Sequence, residues 1–156
     1  MKARINYATA DTKALQLLLG VEAHIATSKL DHKLLHLLKM RASQINGCAF
    51  CLDMHSKDAR EAGETEQRLY GLDAWEETPY YSDRERAALE WTEAITILGN
   101  GHVPDSVYEK VRAHFGEDEI VALTLAAAMI NTWNRLNIAF RTEAGGYQPG
   151  MFKNRR

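Results

Sequence analysis

The sequence predicts an all-α fold, and three observations carry that expectation. Only three prolines occur in 156 residues, at positions 79, 104 and 149, so few positions forbid a helix. Alternating β-branched runs are scarce, while Ala, Leu, Glu and Arg recur at helical spacing. Side chains able to cap helix starts stand at Asp11, Asp31 and Ser82. About seven helices are expected in a single domain over 1–156. That length suffices to bury roughly two thirds of the unfolded surface without staples.

In chain order, a first helix is predicted from about Thr12 to Ala26, capped by Asp11, with Leu15, Leu18, Leu19, Glu22 and Ile25 along one stripe. Glu22 interrupts that face, as a partly buried carboxylate or as one at the helix edge. His24 reads as a surface residue. A second helix fits Asp31 to about Ile45, capped by Asp31, with Leu34, Leu35, Leu37, Leu38, Met40 and Ile45 apolar. His32 and His36 lie four apart on it, a spacing that two metal ligands can use. The third helix runs from about Cys48 to Ala62, ended by Gly63, with Lys57, Asp58, Arg60 and Glu61 on a solvated face.

A short helix over Glu64 to Leu72 leads into an irregular segment, Asp73 to Tyr81, whose Trp75, Tyr80 and Tyr81 serve packing or cover a site mouth. Ser82-Asp83-Arg84-Glu85 is a capping box. It opens a fifth helix to about Leu98, with Ala88, Trp91, Ile95 and Leu98 inward and Gly99-Asn100-Gly101 as terminator. The sixth helix spans Pro104 or Asp105 to Phe115 and ends at Gly116. The last, Asp118 to about Arg141, is apolar on every side between Ile120 and Ile130 except at Thr124, which predicts burial and favours an oligomer. Its polar stretch, Asn131, Thr132, Asn134, Arg135 and Asn137, is expected to be hydrogen-bonded within the fold, or else to support a site. Glu143 to Arg156 reads as an extended tail, reaching toward a neighbouring subunit, with a basic end at 153–156.

Charge and hydropathy exclude several classes. The net charge is −2, from 19 basic and 21 acidic residues spread along the chain. Nothing in it resembles the electrostatic footprint of a nucleic-acid or membrane-surface binder. Met1 to Lys13 lacks the apolar core of a secretory signal, and the run Ile120 to Ile130 is too short to span a bilayer. A cytoplasmic protein is expected, and in a reducing compartment its two cysteines point to chemistry or metal rather than a structural bridge.

The chemistry concentrates in Asn46-Gly47-Cys48-Ala49-Phe50-Cys51-Leu52-Asp53-Met54-His55. Spacings of three and four place Cys48, Cys51 and His55 on one helix face. Free amides of a first helical turn favour a thiolate, and thiols one turn apart can close into a disulfide. Four readings fit these residues: dithiol redox chemistry, a chance pair beside a surface histidine, a zinc site recruiting His55 and His36, and a Cys–His acyl-transfer nucleophile. The acyl-transfer reading leaves one cysteine without a purpose, a closed zinc site needs a fourth ligand beyond this stretch, and the dithiol reading uses the three side chains as they stand. It requires no cofactor and no metal.

The run Ser43-Gln44-Ile45-Asn46-Gly47-Cys48-Ala49-Phe50-Cys51-Leu52-Asp53-Met54-His55, with Ala59-Arg60-Glu61-Ala62-Gly63, resembles the core of the AhpD-like alkylhydroperoxidases of the carboxymuconolactone decarboxylase superfamily. The resemblance covers roughly 20–100, and Asn131-Thr132-Trp133-Asn134-Arg135 resembles the last helix of that branch. It implies a helical fold assembling as trimers or hexamers, and a peroxidase without metal or prosthetic group. One cysteine attacks a hydroperoxide and becomes a sulfenic acid, the other condenses with it, and a dithiol donor, protein or small molecule, reopens the disulfide.

Two positions depart from that pattern. Where the branch has a relay glutamate twelve residues before the first cysteine, this chain has His36, so the relay is altered or falls to Glu22. Where it has histidine before the second cysteine, this chain has Phe50. The expected roles are Cys51 as the attacking thiolate, with His55 one turn after it as base, and Cys48 as resolving thiol, although the helix N-terminus favours Cys48. Alternatives are a decarboxylase acting on a lactone acid by proton chemistry and a thiol-switched oligomer without enzymatic activity.

Overall fold

Asp11, Asp31 and Ser82 begin helices for the reason expected of them: each side chain accepts from an amide of the first turn. The computed structural model describes residues 2–99 and 102–152. Among them lie α1 (Tyr7–Ala10), α2 (Thr12–Ala26), α3 (His32–Asn46), α4 (Ala49–Glu61), α5 (Glu66–Gly71), a 3-10 helix (Leu72–Glu77), α6 (Asp83–Thr96), α7 (Asp105–Arg112) and α8 (Glu117–Phe140). No strand occurs among the described residues, and the fold is all-α. No helix of the described residues is long and apolar enough to cross a membrane.

The organising helix is α3, which packs against α4, α6 and α8. Its Leu34, Leu35, Leu37, Leu38 and Met40 are all buried, and each such side chain contributes roughly 1.5–3 kcal/mol on removal from water. Leu72, Leu89, Val111 and Leu123 meet them from the other elements. Arg41, on the same helix, joins Glu93 at 2.6 Å and Asp73, while Trp75 Nε1 donates to Glu93 at 2.7 Å. This network ties the 3-10 helix and α6 to α3.

Several boundaries differ from those read in the sequence. Helix α5 begins only at Glu66, because Thr65 is its cap and Glu64 is buried against Arg68 at 2.9 Å. Where the sequence predicts irregular chain from Asp73 to Tyr81, Leu72–Glu77 forms 3-10 turns interrupted by a kink at Ala74 and 78–81 is not helical, with Trp75 and Tyr81 buried in the core. Tyr80 lies over Gly71, where an added Cβ would come within 3.2 Å of the ring. All three aromatic residues are packing groups. Helix α6 stops at Thr96 as Ile97 leaves helical dihedrals, so Leu98 is exposed instead of inward. Of its expected terminator, Asn100 and Gly101 lie outside the described residues. Gly116 does not end α7; it caps α8, with its N–H donating to Glu119 Oε2 at 3.0 Å. Helix α8 is not buried all round in the single chain, since Val121 and Ile138 face outward.

The C-terminal segment departs most. Gly145 N–H donates to Asp53, Lys57 Nζ donates to the Tyr147 carbonyl at 2.9 Å, and Tyr147 is buried. The segment over 143–152 therefore lies along α4 of its own chain. The basic end at 153–156 is outside the described residues.

Candidate active site

The tight junction between α3 and α4 places Cys48. Gly47 adopts φ +67°, the left-handed conformation that glycine takes without penalty. Its N–H donates to the Gln44 carbonyl and the Cys48 N–H to the Ser43 carbonyl, both at 3.1 Å. This paired closure of a helix end is the Schellman arrangement. The residue that completes it, Cys48, is also the N-cap of α4, with extended dihedrals. The motif thus starts one residue later than expected: Cys48 caps the helix rather than opening its first turn. Its side chain makes no capping hydrogen bond, but its position at the N-terminus of α4 is one where a negative charge is favoured.

Helix α8 supplies the opposite wall. Asn131, Asn134 and Asn137 recur every third residue, all buried. Asn46 Nδ2 donates to Asn131 Oδ1 and Asn134 Oδ1, both at 2.9 Å, and Asn134 Nδ2 donates to Ser43 Oγ at 3.0 Å. Asn137 Nδ2 donates to Cys51 Sγ at 3.4 Å and to the Trp133 carbonyl at 2.9 Å, while its Oδ1 accepts from the Tyr7 hydroxyl at 3.2 Å. The polar stretch is therefore structural and in direct contact with the cysteine pair.

Both cysteines are free thiols, exposed by only 1% and 0%, in a small apolar cluster with Ala42 and Ile130. Their surroundings split their acidities. The hydrogen bond from Cys51 brings Cys48 down from the ordinary 9.0 to about 7, against the opposing effect of burial, with help from the amides of Cys51 and Phe50 and from Asn134. Cys51 is pushed far up, by donating to Cys48 and then by burial. One thiolate at Cys48, held by one thiol at Cys51, is the state these contacts favour.

His55 follows Cys51 by one turn of α4 and is buried, 6% exposed. Burial holds its imidazole well below the ordinary histidine range, with Lys39 and His36 adding to the effect. His36, on α3, faces it with ring centroids 6.4 Å apart. It too is lowered, by burial first, while Asp58 pulls the other way. Both imidazoles are proton acceptors at neutral pH. Asp58, read in the sequence as a solvated residue, stands with them: ligating atoms of His36, His55 and Asp58 lie within 4.8 Å of one another. The Tyr147 hydroxyl donates to Asp58 Oδ1 at 2.7 Å.

The structure thus places Cys48 and Cys51 together where α3 meets α4, and His36 and His55 face to face, with His55 one turn after Cys51 on α4. The carboxylate of Glu22 is engaged elsewhere, accepting from Trp133 Nε1 at 2.9 Å and pairing with Lys39 at 2.7 Å. His32, four residues before His36, is exposed and outside the cluster. Sequence reasoning missed Asp58 and Tyr147. Asp58 carried a usable signal, lying three residues after His55 as Cys51 lies three after Cys48; Tyr147 carried none.

Comparison with known proteins agrees with this geometry. A family model described as the carboxymuconolactone decarboxylase family matches residues 12–94. The uncharacterised protein YdfG of Bacillus subtilis is 43% identical over 144 residues, covering 92% of this chain and 98% of its own. A crystal structure of an Agrobacterium tumefaciens protein of unknown function, whose name suggests an antioxidant defence protein AhpD, superimposes with a TM-score of 0.89 at 44% identity, over 94% of this chain and all of that one. An uncharacterised peroxidase-related protein from Silicibacter shares the fold alone, with a TM-score of 0.79 at 20% identity over 91% of this chain and 75% of its own. With its helical CxxC site built on α3, α4 and α8, the chain belongs to the carboxymuconolactone decarboxylase family, on its AhpD-like side.

Proposed function

We propose that this chain is a dithiol peroxidase that reduces hydroperoxides through a Cys48–Cys51 disulfide cycle. The observation that carries the reading is the pair of free, buried thiols one turn apart at the start of α4, with Cys51 accepting from Asn137 at 3.4 Å and His55 one turn further along the same helix. A thiolate is the nucleophile and an adjacent thiol resolves it.

The chemistry balances with these residues alone and an external dithiol. The Cys48 thiolate attacks the terminal peroxide oxygen, and the O–O bond breaks with its electron pair on the leaving alkoxide, which takes a proton from solvent to become the alcohol. Cys48 is now a sulfenic acid, oxidised by two electrons. Cys51 passes its proton to the neutral imidazole of His55 and displaces hydroxide from the Cys48 sulfur. The proton on His55 converts that hydroxide to water. A donor dithiol, protein or small molecule, then opens the disulfide by exchange.

This assignment exchanges the two cysteines relative to the sequence expectation, because the α4 amides and the Cys51 hydrogen bond act on Cys48. Asp58, not residue 36, supplies a fixed negative charge beside the imidazoles. The reading includes a homo-oligomer, a trimer or hexamer. Support comes from α2, whose only buried residue is Ile25 and whose Leu17 is 66% exposed, and from Val121 on α8, 59% exposed.

The test is a thiol count before and after one equivalent of an organic hydroperoxide. Rapid loss of two thiols with stoichiometric peroxide reduction is expected. Oxidation no faster than in air sinks the proposal. Trapping of sulfenic acid in Cys51→Ser but not in Cys48→Ser is expected; the opposite pattern restores Cys51 as the attacking residue.

A further inference from the structure

The cluster of His36, His55 and Asp58 has a property that proton transfer does not explain. Nδ1 of His36 and Nδ1 of His55 are both buried and have no hydrogen-bond partner. A buried polar nitrogen left alone costs about 1–3 kcal/mol, and here two occur on facing rings. The same rings and the Asp58 carboxylate bring one ligating atom each within 4.8 Å of the others.

We propose that His36, His55 and Asp58 form a binding site for a divalent transition-metal ion of the zinc class, with the fourth position left to water. Two imidazoles and one carboxylate are a donor set that suits zinc. Tetrahedral bonds of about 2.0–2.1 Å put ligand atoms roughly 3.4 Å apart. The present spacing therefore closes by about 1 Å or somewhat more on binding, within the reach of side-chain rotation. The orientation of Asp58 is already set: Tyr147, itself buried, donates to Oδ1. Such an outer hydrogen bond is what holds a ligating carboxylate in place. Metal ligation takes the neutral form of each imidazole. The nearby Lys39 is paired with Glu22 at 2.7 Å, which offsets part of its repulsion of a cation.

Resting on the peroxidase reading, a second consequence follows. An ion on His55 occupies the lone pair that accepts the Cys51 proton, so metal and proton compete and the ion inhibits.

The experiment separates the two. Zinc binding by calorimetry and cobalt binding by visible absorption are measured on the full chain carrying Cys48→Ser and Cys51→Ser, so that sulfur cannot ligate. One ion per chain is expected, with the absorption of a tetrahedral cobalt centre. His36→Gln and Asp58→Asn, each added singly, should weaken binding at least tenfold, with helical content checked by circular dichroism. If either variant loses its helices, the other decides. Absence of binding to the cysteine-free chain overturns the proposal, as does binding unchanged in both variants. Inhibition is read on the chain with both cysteines, as the ratio of peroxide consumption without and with saturating zinc. A ratio of at least ten, falling toward one in His36→Gln, is expected. A ratio near one with confirmed binding removes the inhibitory role alone. Failure of the metal-free protein to consume peroxide would strike the peroxidase reading and leave the binding data standing.

Discussion

Replacing Cys51 by alanine tests the central electrostatic claim, because the hydrogen bond from Cys51 is the largest cause of the acidity of Cys48. Cys51→Ser keeps a donor in place and serves as the control, and both variants retain a single thiol. Cys48 should ionise near 7 in Cys51→Ser and move back toward 9.0 in Cys51→Ala. If it returns fully, the thiolate fraction at pH 7 falls from about one half to about one hundredth, roughly 50-fold. Intrinsic nucleophilicity rises with basicity, by about 6- to 10-fold over two pH units, so the net loss in alkylation rate at pH 7 is about 5- to 8-fold. Above about pH 8 the order should reverse, with Cys51→Ala the faster, since about a tenth or more of its thiol is then ionised and the more basic thiolate is about 6- to 10-fold the better nucleophile. The assay is a thiolate absorbance titration paired with alkylation rates across pH. The sign is fixed by the lowered pKa: the reactive form is present above about 7 and is lost as pH falls through it. Coincident titration curves for the two variants, or a midpoint near 9 in Cys51→Ser, would refute the reasoning.

Further outcomes follow from the same geometry. Gly47→Ala meets no atom within 4 Å of the new Cβ, so its cost is the left-handed backbone alone, about 1–2 kcal/mol. At this chain length that lowers Tm by about 2–4 °C per kcal/mol, and an unchanged melting curve would contradict it. Asn134→Leu leaves Ser43 and Asn46 each short of a partner; a loss of about 1–3 kcal/mol in urea unfolding is expected, together with a higher Cys48 midpoint. Stability lost without movement of that midpoint would separate Asn134 from the thiol. Tyr147→Phe removes the donor to Asp58 and should cost about 1–2 kcal/mol, and the measured zinc affinity should fall with it. Equal affinity in the two proteins would show that the phenol does not orient the carboxylate.

Most of the architecture was legible because it is written in local signals. Asp11, Asp31 and the Ser82–Glu85 box each act within one turn, and the bounds of α2 and α3 follow from them within a residue. Gly116 was misread because a glycine after an apolar stretch has two uses, ending one helix or starting the next. The Glu119 carboxylate, three residues on, decides for the second. Leu98 and Ile95 belong to one apolar stripe only if α6 continues, and the chain turns at Ile97 instead.

The site was legible in part. Cys48, Cys51 and His55 share a helix face by spacing alone, and their grouping needed no tertiary knowledge. Asp58 sits on that face too, but Lys57, Arg60 and Glu61 around it gave the segment the look of a solvated surface. The exchange of roles proposed for the cysteines rests on the hydrogen bond from Cys51 to Cys48, while the place of Cys48 is a matter of one residue: with Gly47 closing α3, it becomes the cap rather than the first turn. Tyr147 reaches Asp58 across 89 positions, a pairing that no periodicity encodes.

The capping position of Cys48 carries a consequence for reductive recycling. In the proposed cycle a hydroperoxide is small, but a dithiol donor would have to form a covalent mixed disulfide with a sulfur of a residue that the folded chain exposes by only 1% or less. Bridging the pair erases the anion that the α4 amides had been holding, so the first turn loses its electrostatic anchor at the step when a bulky reductant has to enter. Oxidation should therefore loosen its own lid. Amide exchange at Leu52, whose N–H is bonded to the Cys48 carbonyl at 3.0 Å, ought to quicken in the disulfide form and slow again on reduction. Equal protection in the two forms would mean that the donor gains access by another route.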